Sequence, residues 1–267
     1  MIKESLKQWV RDSKESIRYL KYKNTLPKNP MHDDIYIVEF PKSGITWLQH
    51  IIGNIELQLV NRDEIITFYN HHKYLPDVHQ LRGAKISRFL NRTFIKSHAE
   101  FNPYYYFVIY LIRNPFDVMV SYYNFMLAHG YKGTFDNFVH DKNFGIIKWK
   151  SHVNSWLYKK LDAQRIHFIR YEDLMENTKN EILNLYINLG VTIPNEIINT
   201  SIDNSSISNM SKLEDHYKRY NVNYTMSFVG KNNKLKKEEL LTGKIKQYIY
   251  DICIDEIKQF YPDLLNE

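Results

Sequence analysis

One segment constrains this chain more than any other. Ile35 to Phe40 is an apolar, β-rich run, Pro41-Lys-Ser-Gly44 is a tight turn, and Trp47, Leu48, Ile51, Ile52, Ile55 and Leu59 then recur at steps of three and four. That spacing marks a helix with one buried face. A strand, a short glycine turn and a helix start form an anion site when they follow one another. The N–H groups of the first helical turn have no partner inside the helix, and the helix dipole favours negative charge there. Gly44 permits close backbone approach, Lys42 adds a mobile cation, and Ser43 and Thr46 add hydroxyl donors. The pattern is not Walker A, whose lysine follows the last glycine. Here Lys42 comes two residues before the loop's only glycine. On local chemistry alone, an ordinary strand–turn–helix with a surface lysine stays open.

A second stretch has the same logic. Phe107-Val-Ile-Tyr-Leu-Ile112 reads as a buried strand and runs into Arg113-Asn-Pro-Phe-Asp117. Pro115 suits a first helical turn, and Asp117 suits its positive end. An arginine at a strand's carboxyl end faces the crevice where open α/β sheets bind ligands. Ser121 follows Asp117 by one helical turn, so its hydroxyl could join Arg113 on one phosphate. The competing reading is a buried arginine paired with a carboxylate.

Taken together, these motifs resemble the cytosolic-type sulfotransferases, which use 3′-phosphoadenosine 5′-phosphosulfate (PAPS). Pro41-Lys-Ser-Gly-Ile-Thr-Trp47 resembles the family's 5′-phosphosulfate loop, and Arg113 to Tyr123 its 3′-phosphate motif. Phe94-Ile-Lys-Ser-His98 resembles the strand end that carries the catalytic histidine, and Arg170-Tyr-Glu-Asp-Leu174 a strand end whose tyrosine lies by the adenine. Four motifs stand in the expected order across residues 36–174, and the pattern extends to about residue 240. The resemblance implies that Lys42, Ser43, Gly44, Ile45, Thr46 and Trp47 hold the 5′ end of the nucleotide. It implies Arg113 and Ser121 for the 3′-phosphate and Tyr171 beside the base. Two departures stand out. The family's closing Arg-Lys-Gly segment is matched only by Phe228 to Lys237, with Gly230 in the arginine position and the later tryptophan missing. Lys231 is what remains there to contact a phosphate. Ile207 replaces an aromatic expected against adenine.

Sulfuryl transfer needs in-line positioning and charge stabilisation more than covalent help. A base must take the acceptor's proton, and His98 is the candidate, because imidazole works near neutral pH. A cation must stabilise the bridging oxygen of the leaving nucleotide, which is the role for Lys42. Lys96 lies two residues before His98, so both share one strand face and can point into one crevice. No metal is required. A hydrogen-bonded structural histidine is the plainer reading of His98 taken alone.

Alternating strands at 35–40, 93–97, 106–112 and 165–170 and helices at 3–20, 45–59, 115–128, 134–141, 146–160, 177–189 and 243–260 predict an α/β fold. It is read as a single domain over 1–267, with a central parallel sheet flanked by helices on both faces and a P-loop-like strand–loop–helix nucleotide site. Segment 61–92 is loop-rich, and 199–240 is Asn/Ser/Lys-rich and expected to be mobile, so they suit an acceptor pocket and its lid. A net charge of +6 suits an anionic cosubstrate, and equally nucleic acid. The single cysteine, Cys253, rules out a dithiol and a Cys-rich metal site, and falls on an apolar helical stripe. His71, His72 and His79 form a loose cluster without metal spacing. The N-terminal stretch is an amphipathic helix with charges throughout, which predicts a cytoplasmic enzyme without membrane or nucleic-acid partners. A homodimer is left open, and the acceptor is a small molecule: a phenol, alcohol, amine or sugar. A small-molecule P-loop kinase or NTPase, and a non-catalytic nucleotide- or RNA-binding module, are the alternatives. The first lacks its Walker lysine and the second lacks an RNP-type or KH-type signature.

Overall fold

The computed structural model describes residues 14–81, 83–159, 161–221 and 235–266. Four strands pair in parallel: β1 (Ile35–Glu39), β2 (Phe94–Ser97), β3 (Phe107–Ile112) and β4 (Arg165–Arg170), in the spatial order β2-β1-β3-β4. Every residue of β1 and β3 is buried. That is the burial expected of a parallel sheet covered on both faces. Successive side chains alternate between two cores. Tyr36, Val38, Val108, Tyr110 and Ile112 join one core, and Ile35, Ile37, Phe107, Ile109 and Leu111 join the other.

Among the described residues, seven helices of ten residues or more surround the sheet: α1 (Ile45–Leu59), α2 (Pro115–Ala128), α3 (Ile146–Tyr158), α4 (Thr178–Asn188), α5 (Asn195–Asn204), α6 (Ile207–Tyr220) and α7 (Gly243–Phe260). Trp149, Trp156 and Val153 of α3 and Ile249 and Ile257 of α7 fill the first core. Leu48, Ile51, Ile52 and Ile55 of α1, with Ile182 of α4 and Ile198 of α5, fill the second. Trp149 is fully buried. Trp149→Ala is expected to cost roughly 3–5 kcal/mol, the usual loss for a buried large aromatic. Urea titration should show a lowered midpoint at unchanged slope.

The topology sets where a ligand can sit. The chain leaves β1 for β2 on one side, then crosses to β3 on the other. The strand order therefore reverses between β1 and β3, and the crevice at such a switch point is the ligand site of open α/β sheets. The 40–44 turn and Arg113 both emerge there.

The strands match the sequence expectation to within a residue at each end. The helix starts at 45 and 115 hold because Gly44 and the Asn114–Pro115 pair mark them chemically. Asn114 Oδ1 accepts from Phe116 N at 2.9 Å, and Pro115 occupies the first turn, where no N–H is needed. The 134–141 and 146–160 helices are shorter, at Phe135–Val139 and Ile146–Tyr158. The N-terminal helix lies mostly outside the described residues, of which 14–22 are helical.

The 199–240 segment, for which the sequence predicts no helix, is largely helical where it is described. α5 runs to Asn204 and α6 covers Ile207–Tyr220. Ser206 caps α6, accepting from Asn209 N at 3.4 Å. Met210 packs there with Phe68, Trp47, Leu213 and Tyr217. Residues 222–234 of that segment are outside the described set. Cys253 is buried as expected, at a break inside α7 where its φ and ψ are −108° and 17°.

Candidate active site

The 40–44 turn is held in an unusual backbone shape. Lys42 has φ 76° and Gly44 has φ 112°. The second angle suits glycine, and a Cβ on Gly44 would lie 2.5 Å from the Tyr171 ring. Gly44 is therefore required both by conformation and by space. A lysine in the left-handed region is uncommon, and such positions gather at functional sites. Ser43 Oγ donates to Phe40 O at 2.9 Å, so its proton is used inside the turn. Among the described residues, the N–H groups of Gly44 and Thr46 make no hydrogen bond, whereas Ile45 N donates to Glu39 Oε2 at 2.8 Å.

Arg113 ties the second strand end to this turn. Its Nη1 donates to Lys42 O at 3.2 Å, and its guanidinium lies 4.4 Å from the Tyr171 ring centre. Among the described residues its Nε is buried without a hydrogen-bond partner. Buried donors rarely stay unpaired, so this group asks for an acceptor that the described residues do not supply. Trp47 meets Tyr171 edge-on at 6.2 Å and donates from Nε1 to Ser205 O at 2.9 Å. Lys42 Nζ lies 4.7 Å above the Phe125 ring.

The β2 end supplies the third component. Lys96 and His98 face the same crevice, and Lys96 Nζ is 3.3 Å from Asp77 Oδ2. His98 Nδ1 is 3.2 Å from the main-chain oxygen of Glu39. A carbonyl can only accept, so Nδ1 carries the ring proton and Nε2 keeps its lone pair. The His98 main chain is clamped as well. Its N–H donates to His79 Nε2 at 2.9 Å, and its carbonyl accepts from His152 Nε2 at 3.2 Å. His152 in turn accepts from the Tyr110 hydroxyl through Nδ1, at 2.8 Å. Burial, and then the Lys96 charge, push His98 down to about 3. The ring is thus neutral at physiological pH, as a proton acceptor must be.

These groups line one cavity of about 650 Å³. Of the residues singled out in the sequence, Lys42, Gly44, Ile45, Thr46 and Trp47 border it, and so do Lys96, His98, Arg113, Ser121 and Tyr171. Ser43 does not border it, because its side chain turns back into the loop. Lys231 lies outside the described residues. Tyr122 and Phe125 form an aromatic wall, while Ile207 and Met210 of α6 close another side.

The sequence offers Glu39 only as a partner for a cationic acceptor and His79 only as a member of a loose histidine cluster, and it does not point to His152 at all. Glu39 hides at the end of an apolar strand, and His152 sits inside a helical stripe. His79 sits in a short helix, Val78–Leu81, which the Lys96 N–H bond to Pro76 O, at 2.8 Å, helps lay beside β2. Nothing in their local patterns signals the site.

Comparison with known proteins agrees with this geometry. The sulfotransferase domain model matches residues 32–261. Sulfotransferase 1E1 of Bos taurus is 28% identical over 255 residues, covering 88% of this chain and 80% of the bovine protein. Sulfotransferase 1 family member D1 of Mus musculus is 31% identical over 203 residues, covering 67% of this chain and 66% of the mouse protein. Among solved structures, retinol dehydratase in complex with androsterone and PAP (3′-phosphoadenosine 5′-phosphate, described there as inactive cofactor) superposes with TM-score 0.64 at 16% identity. That match covers 90% of this chain and 85% of the other. Mouse sulfotransferase SULT7A1 complexed with PAP superposes with TM-score 0.59 at 18% identity, covering 92% and 90%. The chain belongs to the sulfotransferase family, as a PAPS-dependent transferase built on one α/β domain with a parallel sheet.

Proposed function

We propose that the crevice between β1, β2 and β3 binds PAPS and a small hydroxyl-bearing acceptor together, and that His98 Nε2 takes the acceptor's proton. The observation that carries this reading is the pairing of His98 Nδ1 with the Glu39 main chain beside the phosphate turn. It leaves the basic nitrogen for the cavity that Lys42, Lys96 and Arg113 also line. The Gly44 and Thr46 N–H groups and Lys42 suit the 5′-phosphosulfate, and Arg113 Nε with Ser121 suits the 3′-phosphate. Tyr171 and Trp47 offer aromatic surface to the base.

With the donor held, each residue has one task. Lys42 offsets charge growing on the bridging oxygen as the sulfuryl group departs. Lys96 lies on the acceptor side and stabilises the oxygens of the group in transit. His98 accepts the proton from the attacking hydroxyl, at a ring held through Nδ1 by the Glu39 carbonyl on a backbone clamped by His79 and His152. The aromatic wall of Tyr122 and Phe125 favours an acceptor with an apolar body. Retinol dehydratase has been solved with androsterone and with retinol, and we carry that class, a hydroxyl on an apolar frame, to this chain. Gln80 from the 61–92 segment borders the cavity, which supports an acceptor-side role for that segment, while Ile207 and Met210 of α6 border it near Trp47, on the side read for the base. Among the described residues, no helix is long and apolar enough to cross a membrane.

Thermal shift tests the nucleotide assignment. PAP should stabilise the protein more than AMP or ATP, since only PAP carries a phosphate for Arg113 and Ser121. Arg113→Ala should erase the preference. Equal shifts from PAP and AMP in the unmodified protein would remove the 3′-phosphate site.

A further inference from the structure

Glu39 is the one acidic side chain bordering the cavity, among the described residues. It closes a strand whose other four residues are Ile35, Tyr36, Ile37 and Val38, and it is 2% exposed. Its Oε2 accepts the Ile45 N–H, the first N–H of α1, at 2.8 Å. That donor belongs to the turn whose other N–H groups point at the anion site. A carboxylate thus occupies one position of a site built for negative charge. Two such anions share one low-dielectric pocket only at high cost, unless one of them is neutralised.

We infer that Glu39 is a proton-linked residue of the nucleotide site, and that its carboxyl takes up a proton when the anionic end of PAP or PAPS enters the 40–44 turn. This rests on the nucleotide reading above. The surroundings decide whether Glu39 can respond. Lys42 from the turn, Lys96 from β2 and Arg113 at the end of β3 act on it and favour its charged form. His98 from β2 is neutral and brings Nδ1 to 3.9 Å from Glu39 Oε1. Tyr110 from β3 is within electrostatic reach of it, with the hydroxyl already bonded to His152 of α3. Burial outweighs the three cations and pushes Glu39 up to about 7. The group is therefore poised to change charge in the physiological range, and a second anion moves it further in the same direction. The Ile45 N–H bond survives the change, because a protonated carboxyl still offers an oxygen to it.

The sign follows from linkage. Below pH 7 Glu39 is already neutral and binding carries no proton cost. Above pH 7 each bound nucleotide must bring a proton with it, so affinity falls as pH rises. PAP itself gains charge through about pH 6, which strengthens binding as pH rises, but equally in any Glu39 variant. The comparison that isolates Glu39 is Glu39→Gln, whose amide oxygen can keep the Ile45 N–H bond without a charge. The ratio of wild-type to variant PAP dissociation constants should be near one at pH 6 and about tenfold at pH 8. A ratio independent of pH overturns the proposal. Titration calorimetry on the wild-type protein alone, in two buffers of different ionisation enthalpy, supplies a second readout if the variant does not fold. It should show uptake of about 0.9 proton per PAP at pH 8. Tight binding with no uptake, or with release, refutes the role of Glu39 and leaves the nucleotide site standing. Absence of PAP binding at every pH overturns both.

Discussion

His98→Ala lowers turnover with a phenol or alcohol acceptor by about 10²–10⁴ while PAP affinity stays near the wild-type value. The expectation comes from how the ring is held. Its Nδ1 proton is bonded to the Glu39 main chain, and its backbone is clamped by His79 and His152. Truncation therefore removes the proposed base without dismantling the turn proposed to grip the nucleotide. The pH profile separates catalysis from structure. Because burial and Lys96 push the ring down to about 3, His98 stays unprotonated throughout the range from pH 5 to pH 8. In kcat/KM for PAPS, which reports free enzyme and free PAPS, a limb near pH 6 belongs to the nucleotide's own phosphate, and the limb of His98 should lie below about pH 4 rather than near the ordinary 6.5 of a solvated histidine. Amine acceptors would confuse this test, since they take up protons themselves. Turnover near wild type in the variant would discard the base assignment. Joint loss of PAP binding and turnover would make His98 a support of the fold.

Lys42→Ala is the second large effect, with kcat reduced roughly 10²–10³, the loss usual for one transition-state donor. The side chain crosses the Phe125 ring and borders the cavity, yet its backbone carbonyl, which accepts from Arg113, is kept in the variant. The fold should accordingly hold, with a melting temperature close to wild type. Single-turnover measurements give the cleanest view, because they separate the chemical step from product release. A variant that transfers at the normal rate would mean that the lysine touches no reacting group.

Much of this site can be read from residue order because its parts lie at strand ends. Buried parallel strands are short apolar runs, and the residue after each run falls at one edge of the sheet. Lys42, His98, Arg113 and Tyr171 each follow such a run, so their convergence is implied once the strands are recognised. Helices α5 and α6 were obscured for the opposite reason. Their buried faces are narrow, carried by Ile198 and Ser201 in one and Met210, Ser211 and Glu214 in the other, among Asn, Ser, Asp and Lys. Composition there suggests a loop while spacing suggests a helix, and the packing of Met210 against Phe68 shows why the helix forms. Glu39, His79 and His152 act through contacts between distant segments, which no local pattern carries. The Ser43 hydroxyl was legible as a donor, but its direction depends on the turn's dihedral angles.

The Tyr171 ring gives the two proposed anion grips a common bearing. Gly44 leaves no room for even a methyl group against it, and the Arg113 guanidinium rests over it. Such an arrangement resists piecemeal redesign. Retuning the enzyme toward a donor without a 3′-phosphate by replacing Arg113 would free the ring to tilt, and the tilt would be felt at the phosphosulfate turn. Paired substitutions at Arg113 and Tyr171 should depart from the sum of their separate effects, since residues in direct contact commonly do. Changes of donor preference in this scaffold therefore need the arginine, the tyrosine and the turn to vary as one unit.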